Sequence, residues 1–555
     1  MDQPAGLPRE PPNPDEAAAP QVAGGDADAC TAAQATEPAA APAAGSAVTH
    51  EGASNRFLIV VAMMGATVMQ ALDTTIVNVA LPHMAGNLGA GMDQIAWVLT
   101  SYLIATSVVM PLTGYLSDRL GRRRFLLVLI GGFVIASGLC GLAQNLAQIV
   151  SFRLLQGLFG AALTPLSQAV MAETFPLHER AKAMAIWGMG VVVAPILGPT
   201  LGGWLTETAS WRWTFYVNLP VGLLSFLLAA RHVPDMPVRE RRLDWTGYGA
   251  LALSLCALQV VLDRGERDDW FASSFIVAMA VASALLFAAF VARSIGRRDH
   301  PLFDLAVLRD CNFVIACSIM FAIGIGLFGG MLLQPMFFEN LLDYPATETG
   351  LDLMPRGLAT FVAMMFVSRV ASRVTPRTLL AGGVAASVAG SVWMTQLTAE
   401  VGGAFMVGPL LLQGFGLGLI FVPASTIAFS TIPKHLAAEA AGLYSLVRSV
   451  GSAVGISLVS SYFARSAQRH WEMLRGQVNP FRGPVADYLG SLHLAPDSAL
   501  GAQVLAKAVA QQAQLAAYVD TFWLVAASFL AMAPLILLIR HSRLGPPPPG
   551  TAVPE

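Results

Sequence analysis

Charge is what this chain has least of. Asp, Glu, Lys and Arg make up 12% of its 555 residues and 55% are hydrophobic, whereas a soluble globular chain is about 25% charged. That composition excludes a soluble fold and leaves a polytopic membrane protein. Cysteine is scarce as well. Cys30, Cys140, Cys256, Cys311 and Cys317 fall in the N-terminal tail, in expected spans or at a span's cytoplasmic edge, which implies no disulfide framework and no zinc spacing. Residues 1–55 hold a single Lys or Arg, Arg9. They lack the positive start and apolar core of a signal peptide. Rich in Ala, Pro and Gly, they have too little apolar surface to pack and read as a disordered cytoplasmic tail. Also missing are a nucleophile–base pair, a metal cluster and an appended soluble domain, which weighs against an enzyme or a sensor. No cofactor, metal or nucleic-acid partner is expected.

What is there is a long series of apolar runs. Fourteen are long enough to cross a bilayer, at about 57–82, 95–114, 125–144, 147–173, 184–205, 213–230, 245–263, 271–292, 313–338, 352–372, 378–396, 403–423, 440–464 and 519–539. With both termini cytoplasmic, the inner loops and span edges collect Arg119, Arg122, Arg123, Arg124, Arg180, Lys182, Arg231, Arg239, Arg241, Arg242, Arg297, Arg298, Arg373, Arg377 and Lys434. The short outer loops hold only Arg212, Arg264 and Arg267. The asymmetry fits the positive-inside rule. Arg465, Arg469 and Arg475, after the thirteenth span, run against it.

The chain also repeats itself. Leu154-Leu155-Gln156-Gly157 recurs as Leu411-Leu412-Gln413-Gly414, and the pair Gly198 and Gly202 as Gly451 and Gly455. The similar offsets, roughly 255 residues, point to two six-span halves in parallel orientation. The expected organisation is the tail at 1–55, a first half at 56–230, two inserted helices at 245–292 and a second half at 313–540. Within the second half, 465–518 is expected as an outer, periplasmic loop. Its first part is polar, and its end from Ala502 to Tyr518 suits a surface helix.

Asp73 stands out in the first span. A carboxylate at that depth costs roughly 2.5–3.5 kcal/mol on insertion scales, so it should face the protein interior or a water-filled cavity. Gln70 shares its helical face. Arg153 in the fourth span lies within about one helical turn of the same depth. The two can form an ion pair, which is either purely structural or a site that gains and loses a proton during transport. Leu410 replaces Arg153 in the repeat. Further polar candidates for a substrate cavity are Asn78, Gln156, Gln334, Gln413 and Arg448. Arg356 and Asp520 read as interfacial, Asp520 as an acid at a helix start. Trp211, Trp213, Phe215 and Tyr216 read as an interfacial aromatic belt.

Two ordered motifs narrow the class. Gly114-Tyr115-Leu116-Ser117-Asp118-Arg119-Leu120-Gly121-Arg122, between spans two and three, resembles the signature loop of the major facilitator superfamily. That resemblance gives Asp118, Arg119, Gly121 and Arg122 the role of a conformational latch. Ala194-Pro195-Ile196-Leu197-Gly198-Pro199-Thr200-Leu201-Gly202-Gly203 concentrates helix breakers in the fifth span. It resembles the superfamily's antiporter motif, carried here by Pro195, Gly198, Pro199, Gly202 and Gly203. Taken with Leu72 to Pro82, Trp211 to Gly222, Leu262 to Phe271 and Val478-Asn479-Pro480-Phe481, the chain resembles the 14-span drug:proton antiporters of the EmrB/QacA family, closest to the Emr B-subunit branch. The resemblance covers about residues 56–540.

It implies an all-α polytopic membrane protein with the major facilitator fold, two six-helix halves plus two inserted central helices. It also implies export of hydrophobic drugs or toxic compounds across the inner membrane, driven by the proton gradient, with Asp73 and Arg153 in proton coupling. A periplasmic membrane-fusion adaptor and an outer-membrane channel are possible partners. A dedicated exporter of one endogenous metabolite or siderophore carries the same motifs and stays open as the alternative.

Overall fold

The computed structural model describes residues 47–234, 238, 243–296, 305–371, 373–398, 403–433, 436–478, 483–495 and 498–539. Most of the tail, the loop residues Arg239, Arg241, Arg242, Arg297, Arg298 and Lys434, Cys30 and the stretch Asn479-Pro480-Phe481 therefore lie outside the described residues. So does the side chain of Pro195. The chain falls into two units, Met1–His50 and Glu51–Glu555, and the second carries the features that follow.

All regular structure among the described residues is helical. In hydrocarbon a backbone must satisfy its own hydrogen bonds, and a helix does so within one segment. The first half contains α1 (Ala47–Leu88), α2 (Trp97–Val109), α3 (Thr113–Leu120), α4 (Arg122–Leu142), α5 (Leu146–Gly160), α6 (Leu163–Thr174), α7 (Leu177–Thr208) and α8 (Asn218–His232). The inserted pair is α9 (Trp245–Arg264) and α10 (Ser274–Gly296). The second half contains α11 (Cys311–Asn340), α12 (Ala346–Val370), α13 (Pro376–Met394), α14 (Gly403–Ala428), α15 (Ala437–Gln477), α16 (Gly483–Ser491) and α17 (Ala499–Leu530). Helix α1 starts inside the segment that composition assigns to the tail.

Local chemistry sets several of the ends. Asn145, Asp310, Thr375 and Ser498 each accept a bond from the backbone N–H three residues on, which satisfies a donor the first turn would otherwise leave free. Pro111 opens the 3-10 turn Met110–Leu112 that divides α2 from α3. Twelve helical segments among the described residues are long and apolar enough to cross a membrane. Helices α7 and α13 occupy the expected spans at 184–205 and 378–396 and are 32 and 19 residues long.

In the first half α5 packs on α2 and α4, and α8 packs on α4. In the second, α14 lies between α12 and α13, and α15 lies along α11. The halves meet where α7 runs beside α12 and where α15 packs against α3 and α6. That last contact needs glycine, because a Cβ on Gly114 would stand 3.0 Å from the Cα of Glu439. Helix α9 packs on α2, and the Tyr248 hydroxyl donates to the Val108 carbonyl at 3.0 Å. It also touches the second half through Leu251, Leu255 and Leu446. Helix α10 turns Phe275, Val281, Leu285 and Phe287 outward, as a lipid-facing helix must. Where α9 begins and α10 ends, Arg293 bonds Asp244 through two nitrogens, at 2.6 and 2.9 Å. That contact holds the Asp244 carboxyl well below the usual carboxylate range.

The segment at 465–518, expected as an outer loop ending in a helix, is helical over most of its length. The thirteenth span does not stop near residue 464, since α15 continues unbroken for 41 residues. At 1.5 Å per residue it measures about 60 Å, twice the ~30 Å hydrocarbon core. Helix α17 begins at Ala499 and packs back on it. Most of the segment is thus a helical extension, and Arg465, Arg469 and Arg475 are exposed on it. Asp520 is corrected too. It sits well inside α17, where its carboxylate accepts from Ser466 at 2.6 Å and meets His470 Nε2 at 2.9 Å.

Candidate functional site

Asp73 and Arg153 meet. The Arg153 Nη1 lies 2.6 Å from Asp73 Oδ2, and both residues are 0% exposed. Four separate helices bring their partners in. Gln156, one turn beyond Arg153 on α5, donates through Nε2 to Asp73 Oδ1 at 2.8 Å. Asn218, at the start of α8, donates to the same oxygen at 2.9 Å. Both amides also donate to the Ser137 hydroxyl of α4, at 2.7 and 3.3 Å. Arg153 Nη1 donates a second bond to Gln156 Oε1 at 2.6 Å, and Nε donates to the Val98 carbonyl of α2 at 3.1 Å. Its guanidinium lies 4.3 Å from the centre of the Tyr102 ring.

The pair is therefore embedded in a dry, hydrogen-bonded cluster, and this decides what it can do. A buried pair offsets its desolvation only when its remaining donors and acceptors are satisfied. Here the carboxylate has three donors and the cation has three acceptors, with only Arg153 Nη2 left without a partner. Loss of the Asp73 charge, by protonation or by mutation, would break the strongest of these contacts and leave Arg153 unpaired. A proton on one oxygen is thus tied to the packing of α1 against α5 and α8.

The other residues sort around this cluster. Gln70 stands one layer away, accepting from Thr164 at 2.7 Å and reaching the Tyr102 hydroxyl at 3.5 Å. Asn78 is exposed and makes no hydrogen bond to the cluster. Gly198 and Gly202 bring α7 against α1 directly after Asp73. A Cβ on Gly198 would collide with the Thr75 hydroxyl, and one on Gly202 would stand 2.8 Å from the Ile76 carbonyl. Gly203 is buried and Pro199 half-buried beside them.

In the signature loop Gly121 adopts φ 80°, a conformation that costs an L-residue and suits glycine between α3 and α4. Arg122 is 6% exposed and forms an ion pair with Glu173 at the end of α6. Asp118 is half-buried. Arg119 is exposed and donates to Tyr115 of its own helix at 2.5 Å.

The second half repeats the polar cluster in altered form. Gln413 donates to Ser391 at 3.1 Å, as Gln156 does to Ser137. Gln334 donates to Gln413 Oε1 at 2.9 Å. The Gln334 oxygen accepts from Arg356 Nη1 at 2.6 Å. The interfacial reading of Arg356 is wrong. It is 2% exposed, because α12 turns it inward to α11 and α14 rather than to the surface. Gln334 and Gln413 are thus bonded to each other, whereas Arg448 is half-buried and outside this network.

The sequence reading missed Asn218, Ser137, Glu173 and the burial of Arg356. Asn218 lies within the Trp211 to Gly222 motif, so a polar residue early in an otherwise apolar span was a usable signal. Ser137 carries none, since serines are common in membrane helices and usually bond their own backbone.

The Major Facilitator Superfamily profile matches residues 63–456. The fatty acid resistance protein FarB of Neisseria gonorrhoeae is 32% identical over 481 residues, 86% of this chain and 94% of that protein. The multidrug export protein EmrB of Escherichia coli K12 is 31% identical over 486 residues, 86% and 94% of the two chains. Among solved structures, the human organic anion transporter MFSD10 superposes with a TM-score of 0.57 at 15% identity, covering 87% of this chain and 99% of that one. The proton:xylose symporter XylE superposes with a TM-score of 0.55 at 14% identity, covering 87% and 97%. Those two likenesses concern the fold alone. The family match, the relatives and the all-helical fold agree, and the chain belongs to the major facilitator superfamily of transporters, in its EmrB/QacA branch.

Proposed function

We propose that this protein is a proton-driven antiporter that exports hydrophobic drugs or toxic compounds across the inner membrane by alternating access. The observation that carries the reading is the fully buried Asp73–Arg153 pair with its amide partners. Proton-driven transport needs a group whose charge is tied to helix packing, and loss of the Asp73 charge would leave Arg153 unpaired between α1, α5 and α8. Exchange of a proton on Asp73 frees or captures Arg153 and so biases the packing of α1, α5 and α8. The energy source is the proton gradient, with no cofactor, and both termini face the cytoplasm. The names of FarB and EmrB support export of toxic compounds. A substrate-accumulation panel in a pump-deficient host, with and without an uncoupler, tests the proposal. Uncoupler-sensitive efflux of several unrelated compounds is expected, efflux of one alone identifies a dedicated metabolite or siderophore exporter, and no efflux at all rejects the reading.

The signature loop supplies the switch. Asp118 and Arg122 sit at the inner end of the first half, next to the contact of α3 with α15. Their removal shifts the balance between inward- and outward-open states rather than the binding of substrate. Asp118→Asn and Arg122→Ala should each lower turnover by roughly tenfold with equilibrium affinity nearly kept, for a change of about 1.4 kcal/mol in that balance. Affinity falling in step with turnover contradicts the assignment.

The helical extension of α15 and α17 is proposed to dock a periplasmic adaptor, which would hand substrate to an outer-membrane channel. It reaches well past the bilayer, and transport across one membrane has no need of that. Replacing 478–498 and the outer turns of both helices by a short linker should leave transport in vesicles largely intact while resistance of whole cells is lost. Full resistance in cells, with adaptor cross-linking unchanged, removes the extension from that role.

A further inference from the structure

Leu262 to Phe271 joins α9 to α10, and its residue types explain its shape. Gly265 lets the chain fold back on itself. The Trp270 backbone N–H donates to the Gly265 carbonyl at 2.7 Å, and a Cβ on Gly265 would stand 2.8 Å from the Trp270 ring. Arg264 pairs with Asp268 at 3.3 Å. Asp269 and Trp270 both have positive φ, 54° and 50°. Aspartate tolerates that region, but a tryptophan there is strained. Such strain persists only where the surroundings hold the residue in place.

What holds this turn is contact with both halves. The Asp263 carboxylate accepts from the Thr100 hydroxyl of α2. The Trp270 indole donates to Ser461 of α15 at 3.1 Å and to Glu266 of its own turn at 2.8 Å. Helix α9 lies along α2 and also packs on α15, with Leu251 and Leu255 against Leu446. Near Leu446 the halves also meet directly, since a Cβ on Gly442 would stand 3.4 Å from the Met110 carbonyl. Ser461 is fifteen residues further along α15, or about 22 Å. At that distance the turn is tied to the second half by one indole N–H. The second acceptor matters here. If α15 moves away, Glu266 keeps the N–H satisfied, so release avoids the cost of a stranded donor.

We propose that this turn is a releasable clasp between the halves. It stays on α2 through Asp263 and α9, and it grips or frees α15 by passing the Trp270 N–H between Ser461 and Glu266. Gripped, it holds the Ser461 stretch of α15 near α2. Freed, it lets that end of the two helices separate while Met110 and Gly442 stay together. The inference rests on the alternating-access reading above, and it gives the two inserted helices a part in the change of state.

The test measures a distance between the halves at that end. The full chain in lipid nanodiscs carries p-acetylphenylalanine in place of Trp97 on α2 and of Gln468 on α15, both exposed. Each is coupled to a nitroxide, and double electron–electron resonance gives the populations at shorter and longer separation. Trp270→Phe keeps the ring and removes the donor, and Ser461→Ala removes the acceptor. Each should raise the long-to-short ratio by about fivefold, the loss of one hydrogen bond. The double variant should shift no further than either single, because both act on the same bond. Glu266→Ala should move the ratio the other way, since Ser461 is then the sole acceptor, and a merely structural turn does not produce opposite signs. Unchanged ratios in the first two variants, with thermal unfolding like the wild type, overturn the proposal, as does a double variant whose shift is the sum of the singles. If Trp270→Phe unfolds early, Ser461→Ala and Glu266→Ala decide alone. The distances are read without substrate, so a chain that exports nothing leaves this result standing, and unchanged distances leave the export reading untouched.

Discussion

Asp73→Asn should abolish proton-driven export. The change keeps the shape of the side chain and removes its charge. Gln156 and Asn218 can still donate to the remaining oxygen, where they bond at 2.8 and 2.9 Å in the wild type. The new amide nitrogen, however, can no longer accept from Arg153. The cluster is then locked in a form with no exchangeable proton at its centre, and Arg153 is a buried cation without a counter-ion. Breaking a buried pair by removing one partner costs roughly 3–5 kcal/mol, so transport must be read beside thermal unfolding in detergent. The expected protein inserts, unfolds at a lower temperature and gives no uncoupler-sensitive efflux. Wild-type drug resistance from a well-expressed Asp73→Asn protein would falsify the coupling role.

Arg153→Ala should act on the same cluster with a different signature. It removes the bonds to Asp73, Gln156 and the Val98 carbonyl together, as well as the ring contact with Tyr102. A nearby cation favours the ionised form of a carboxyl, and its loss favours the protonated form. If the pair sets the coupling, the midpoint of the transport–pH profile should therefore rise. Arg153→Lys should fall between the two, because an ammonium keeps the charge but cannot reach Asp73, Gln156 and Val98 from one planar fork. A pH profile identical to wild type in a folded Arg153→Ala protein would mean that the pair does not set the coupling. Retained transport with a raised midpoint separates a tuning residue from an obligatory one.

The sequence and the structure divide the account in a consistent way. Low charge content and repeated apolar runs determine an all-helical membrane protein, because a lipid environment leaves few other ways to satisfy a backbone. The meeting of Asp73 with Arg153 was also legible, since isolated charges in hydrocarbon must find each other and their depths matched. The glycines at 114, 198 and 202 were legible as close contacts but not as contacts with particular residues. Their partners at Glu439, Thr75 and Ile76 appear only once the helices are packed.

Tertiary structure alone decided the rest. Asn218 and Ser137 join Asp73 from positions 145 and 64 residues away in the chain, and no local pattern marks residues that become neighbours across packed helices. Arg356 reads as interfacial by its place in the span, yet the rotation of α12 turns it to Gln334 and burial follows. The segment after residue 464 looked like a loop because it is polar, but polar residues suit a helix whose outer face meets water and whose inner face meets α17. Sequence determined which segments enter the membrane, since that depends on transfer free energy summed along one helix. Only the packed structure decided which polar groups share the dry interior, since that depends on helix rotation and on partners far away in the chain.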